Sequence, residues 1–134
     1  MPNRVDILFR TERFNLSNVE KQFVNDYCFG QDLIVWLRDK LIAAGYAADE
    51  PYQEDWGWEV EFRIDSQKCF VGVSGIPDED TAHPDYGEWR VFVEPRVSII
   101  DRLLKRTIDT PLSTEIEQLL AVENDFENVR RDGA

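Results

Sequence analysis

Glu54-Asp55-Trp56-Gly57-Trp58-Glu59-Val60-Glu61-Phe62-Arg63-Ile64-Asp65 is the stretch that decides the fold of this chain. Taken at every second position, Trp56, Trp58, Val60, Phe62 and Ile64 form one set, and Gly57, Glu59, Glu61, Arg63 and Asp65 the other. Successive side chains of a strand point to opposite faces, so one face is apolar and the other carries the charges. The pattern predicts a half-buried strand of an antiparallel sheet with one dry and one wet face.

The next run extends the sheet. Asp65-Ser66-Gln67-Lys68 has turn composition, and Cys69-Phe70-Val71-Gly72-Val73-Ser74-Gly75 follows it. A two-residue loop at Ser66-Gln67 sets Ile64 against Cys69, Phe62 against Val71, Val60 against Val73 and Trp58 against Gly75, all on the dry face. Ser-Gln is not a preferred hairpin pair, so a longer loop is the alternative. A third run, Trp89-Arg90-Val91-Phe92-Val93-Glu94, sends Trp89, Val91 and Val93 inward and Phe92 outward or under another element. The three runs form a meander.

Elsewhere, residues 4–11 alternate as a further strand, through Val5, Ile7 and Phe9. Ser17 with Glu20 fits a capping box, so residues 17–27 are a short helix or a loop. Gly30 to Ala44 is the surest helix. Leu33, Trp36, Leu37, Leu41 and Ala44 keep helical spacing, Asp32 and Lys40 suit the two ends, and Gly45 is placed as a left-handed terminator. Ser98 to Arg106 and Thr110 to about Phe126 predict two C-terminal helices, and residues 127–134 read as a frayed tail. The expected fold is α+β in one domain: a four-stranded, mostly antiparallel sheet, the Gly30–Ala44 helix on its apolar face, and two C-terminal helices covering the rest.

Composition bounds the function. Fifteen Lys and Arg stand against 27 Asp and Glu, a net charge of −12, which argues against binding to a phosphate backbone and suits a basic protein partner. No nucleic acid is expected as partner. No apolar run nears the ~20 residues that span a bilayer, the first residues lead directly into a strand pattern, and two cysteines do not make a disulfide framework. These features place the chain in the cytoplasm, away from membranes, with reduced thiols. Glycine-rich phosphate loops, nucleophile elbows, zinc-ligand spacings and dinucleotide fingerprints are all missing, so no cofactor, metal or catalytic residue is expected.

Four weaker features carry chemistry only with help. Asp78, Asp80, His83, Asp85 and Glu88 crowd a loop, but the glycine and glutamate positions of a calcium loop are unmet. Cys28 precedes a helix N-terminus, which favours a thiolate, yet its neighbours Tyr27 and Phe29 favour a buried, inert thiol. Glu54 and Asp55 are paired carboxylates beside tryptophan, but adjacent strand residues point apart, which suits glycoside chemistry poorly. Trp36, Trp58 and Trp89 read as core, and Trp56, at the start of the strand, as the ring most open to solvent.

Phe14-Asn15-Leu16, Cys28-Phe29-Gly30-Gln31-Asp32-Leu33, Trp36-Leu37 and Glu54-Asp55-Trp56-Gly57-Trp58 together resemble a group of small bacterial proteins of unknown function with an EDWGW-like core, over residues 5–105. The resemblance implies no activity. In size and charge the chain is also similar to immunity proteins that neutralise toxins, an analogy that carries no function by itself. The resulting expectation is a non-enzymatic binding module, immunity- or inhibitor-like, meeting a basic protein through Glu54, Asp55, Trp56, Glu59 and Glu61. The alternatives are a small-molecule or enzymatic pocket between helix and sheet lined by Trp36, Trp58 and Trp89, and a homodimer through a sheet edge or the Phe92 face.

Overall fold

A computed structural model describes residues 4–64, 67–79, 82–96 and 111–132. Seven strands and two helices are found among them: β1 Val5–Thr11, α1 Gln31–Ala43, β2 Ala47–Ala48, β3 Tyr52–Glu54, β4 Gly57–Ile64, β5 Gln67–Pro77, β6 Gly87–Pro95, α2 Leu112–Ala121 and β7 Glu127–Arg131. Every pairing is antiparallel. The order is β2-β4-β5-β6-β1-β7, with β3 joining β4 beside β2.

The four-stranded architecture is thereby corrected to a seven-stranded sheet. Three additions account for the difference. Ala47–Ala48 and Tyr52–Glu54 are too short to show a period, and both are held by pairing to β4. Residues 127–131, expected to fray, instead pair with β1, Leu8 opposite Arg130 and Arg10 opposite Glu127 across a register shift. Four of the five side chains are polar, as suits an edge strand, while Val129 packs against the core; polarity there does not preclude pairing. Of the two expected C-terminal helices, α2 is found, and Ser98–Arg106 lies outside the described residues.

The meander β4-β5-β6 follows the expected faces but not the expected register. Phe62 stands opposite Cys69, Val60 opposite Val71 and Trp58 opposite Val73. The shift is by two residues, which preserves which face each side chain occupies. Pairing runs to Ile64 opposite Gln67, so the strands close two residues earlier along β5 than a Ser66-Gln67 loop requires. Gly75 consequently lies opposite Trp89 rather than Trp58. A Cβ on Gly75 would stand 2.7 Å from the Trp89 ring and 2.8 Å from Leu16, so glycine is required there for space.

The inner face is a continuous core. Ile7, Phe9, Trp58, Val60, Phe62, Cys69, Val71, Val73, Trp89, Val91 and Val93 lie beneath Leu33, Ile34, Leu37 and Leu41 of α1 and Leu112, Ile116 and Leu120 of α2. The helix boundaries match the apolar spacing closely. Gly30 caps α1 at φ 126°, and a Cβ at that point would meet Val73 at 2.7 Å. Gly45 ends it at φ 104°, in the left-handed region where glycine avoids the Cβ clash. Residues 12–30 form turns and bends, not the alternative helix at 17–27. Ser17 does not cap a helix; its hydroxyl donates to Asp85 instead.

Candidate functional site

The sheet's second face carries the acidic residues and holds a small aromatic cluster of its own. Its position follows from the β3–β4 hairpin. Glu54 pairs with Gly57, so Asp55 and Trp56 form a two-residue turn instead of starting a strand. Gly57 leaves no room for a side chain, because a Cβ there would lie 2.1 Å from the Val73 carbonyl oxygen. The turn carries Trp56 to the face opposite Trp58, which corrects the expectation that both rings share the dry face.

Trp56 packs on Phe92, with ring centroids 5.2 Å apart. The two rings meet above Gly72, whose missing side chain leaves the hollow they fill: a Cβ at Gly72 would stand 2.2 Å from Phe92 and 2.7 Å from Trp56. Phe92 is 7% exposed and Trp56 39%. Arg4 closes the cluster from the other side, its guanidinium carbon 4.1 Å from the centre of the Phe92 ring and its Nε donating to Asp6 at 2.7 Å.

Carboxylates border this cluster. Tyr52 pairs with Glu59 across β3 and β4 and donates its hydroxyl to Glu59 Oε1 at 2.8 Å. The Glu59 carboxyl is pushed above the usual carboxylate range. Burial is the main cause, the hydrogen bond from Tyr52 opposes it, the charges of Glu54 and Glu94 add to it, and Arg4 opposes it. The Tyr52 hydroxyl is also pushed up, first by burial, then by Glu59. Glu61 is half-buried, and its Oε1 has no hydrogen-bond partner among the described residues, with Lys68 Nζ 3.9 Å away. Asp6 goes the other way: burial pushes it up, but hydrogen bonds and charge from Arg4 and Arg90 outweigh that and hold it below the ordinary value.

The five residues singled out in the sequence thus fall into two groups. Trp56, Glu54 and Glu59 edge one aromatic patch, while Asp55 is exposed at the hairpin tip and Glu61 lies further along β4 toward Lys68. Tyr52, Gly72, Arg4 and Glu94 belong with the patch and were not anticipated; Phe92, expected to point outward, belongs there too, as the ring beneath Trp56. The available signal was one of the two glycines of β5, Gly72, and the one phenylalanine of β6, both alternating onto the charged face. Opposed in register, as Gly72 and Phe92 are, they mark a hollow beside a ring.

The remaining candidates are satisfied within the protein. Cys28 is fully buried, and its thiol lies 3.2 Å from the Glu54 carbonyl oxygen and 3.3 Å from that of Gly57. Burial pushes this thiol's pKa up; a backbone hydrogen bond at Val24 opposes the shift and the charge of Asp55 adds to it. In the acidic loop, Asp78 pairs with Arg10, Glu88 with Arg10 and Arg130, His83 with Glu12, and Asp85 accepts from Leu16 N–H and the Ser17 hydroxyl. Asp78 and Glu88 thus converge on the Arg10 cation, while His83 and Asp85 turn to other segments; Asp80 lies outside the described residues.

The tryptophans proposed to line a pocket are packed. Trp58 donates to the Cys28 carbonyl at 3.0 Å, Trp89 is fully buried edge-on to Phe14, and Trp36 packs edge-on to Phe126 at 5.4 Å. A cleft of about 70 Å³ opens elsewhere, among Asn15, Glu20, Phe23, Gly30, Gln31 and Asp32. No described helix is long and apolar enough to cross a membrane. Comparisons with protein-family models, with curated proteins and with solved structures return no match.

Proposed function

We propose that this chain is a non-enzymatic protein-binding module that meets a basic partner with the acidic half of its open sheet face. The observation that carries this reading is Trp56: a large ring, 39% exposed at a hairpin tip, bedded on Phe92 and bordered by Glu54 and Glu59, with Asp55 exposed beside it in the turn. Half-exposed tryptophans on a firm bed are favoured interface anchors, and like charges around them steer an oppositely charged partner and speed encounter. The loop tied to the hairpin enlarges the surface. Asn25 donates to the Asp55 carbonyl and Val24 N–H to Gln53, leaving Val24 57% and Tyr27 73% exposed. An inhibitor or immunity protein would use such a surface to cover a cationic site.

The test is a capture experiment from source-cell lysate at low and high salt, with Trp56→Ser and Glu54→Lys/Asp55→Lys as comparison baits. One basic protein, retained at low salt and lost in high salt and on both variants, is the expected result. A partner held equally by all baits, or indifferent to salt, would remove both the anchor and the steering.

A further inference from the structure

The cluster on the open face already contains a cation, and that cation belongs to the chain itself. Arg4 immediately precedes β1, with its guanidinium over Phe92 and its Nε on Asp6. It is also one of the charges felt by Glu59, beside Glu54 and Glu94. Arg90 takes the other oxygen of Asp6, so Asp6 does not depend on Arg4 for a partner. The seat therefore combines a flat aromatic floor, a half-exposed second ring at its wall, and four carboxylates, Asp6, Glu54, Glu59 and Glu94, against the two guanidiniums of Arg4 and Arg90.

Guanidinium suits this seat better than ammonium. It stacks flat on a ring while its edge nitrogens donate in the ring's plane, and it is more weakly hydrated, so seating it against Phe92 costs less. The Arg4 side chain is 39% exposed, and an exposed pair of this kind is held weakly.

We infer that this patch is an arginine seat, in which Arg4 stands in for an arginine side chain of the basic partner and is displaced by it. The inference rests on the acidic-face reading above and specifies what that face takes. Phe92 is the floor, Trp56 the wall, and Glu59, Glu94 and Asp6 the surrounding acceptors. Charge complementarity selects a basic partner, and the seated guanidinium selects arginine over lysine.

Two capped peptides of identical length decide it, one alternating arginine with glycine and serine, the other lysine in the same positions. Binding is read by NMR, from the indole N–H of Trp56 and the ring signals of Phe92. The arginine peptide should shift both, and the lysine peptide should bind more weakly. Arg4→Ala should tighten the arginine peptide about two- to fivefold, the worth of one exposed cation–π contact, and the lysine peptide less. Phe92→Leu, checked for an unchanged fold by its backbone spectrum, should erase the difference between the peptides. Equal, salt-sensitive binding of both peptides, unmoved by Arg4→Ala, would overturn the arginine seat while leaving the acidic face standing. Failure of both peptides to bind would overturn both readings.

Discussion

Gly72→Ala tests whether the hollow beneath Trp56 and Phe92 is a built feature. A Cβ at residue 72 would lie 2.2 Å from two carbons of Phe92 and 2.7 Å from Trp56, where ordinary contact begins near 3.4 Å. The Phe92 ring must therefore retreat by about 1 Å, and the neighbouring Trp56 and Arg4 must follow. Overpacking of this kind costs about 1–3 kcal/mol. Replacing glycine in a strand returns about 0.5–1 kcal/mol, because the unfolded chain then has fewer conformations to lose. Because the rings can swing toward water, the net loss should be about 0.5–2 kcal/mol, at the lower end of the overpacking range. Urea unfolding followed by far-ultraviolet circular dichroism measures it without relying on tryptophan emission. The same substitution in a Phe92→Ala background, where the ring is gone, should be neutral or mildly stabilising. An equal cost in both backgrounds, or a gain in the native one, would show that the close approach to Phe92 is not what demands glycine at this position.

Three further outcomes follow from the wholly or partly buried groups. Cys28 and Cys69 are both fully buried, and burial raises the Cys28 thiol's pKa, so neither should react with a thiol reagent until the chain unfolds; rapid labelling of Cys28 at neutral pH would contradict its placement. Glu59 has a raised folded-state pKa, so the folded state holds its proton more tightly than the unfolded one. Its contribution therefore weakens as pH climbs from the ordinary carboxylate value through the raised one, and Glu59→Gln should be the more stable form at pH 7, with the advantage fading at acid pH. Asp6 behaves oppositely: Asp6→Asn should cost stability at neutral pH, a cost that vanishes as pH falls through the depressed value. Urea midpoints across pH for the two variants check both signs.

The meander and α1 were legible because their signals are long. Eight residues of β4 and thirteen of α1 present whole faces, and a face survives an error of register by two. The hairpin at Asp55-Trp56 was not legible. Trp56 falls in phase with Trp58 and reads as the same strand, and only the pairing of Glu54 with Gly57 reveals the turn between them. The edge strand β7 escaped for a related reason, since Glu127-Asn128-Val129-Arg130-Arg131 has no apolar period and its pairing is set by β1. At the site, the acidic residues were readable one by one. Their floor was not, because Phe92 and Gly72 come from different strands and acquire meaning only side by side.

The position of β1 between β6 and β7 has a consequence for how the chain reaches this structure. The first strand finds its partners at residues 87–93 and 127–131, and Asp132 N–H closes on the Asp6 carbonyl at 2.9 Å. During synthesis β1 must wait, unpaired on both edges, while the meander assembles without it. Pairings this distant along the chain make for slow folding and a long window in which a bare strand can be captured by another chain. Charges on an unpaired strand disfavour its pairing with another chain, so Asp6 and Arg10 of β1 work against such capture before they contribute to the finished surface.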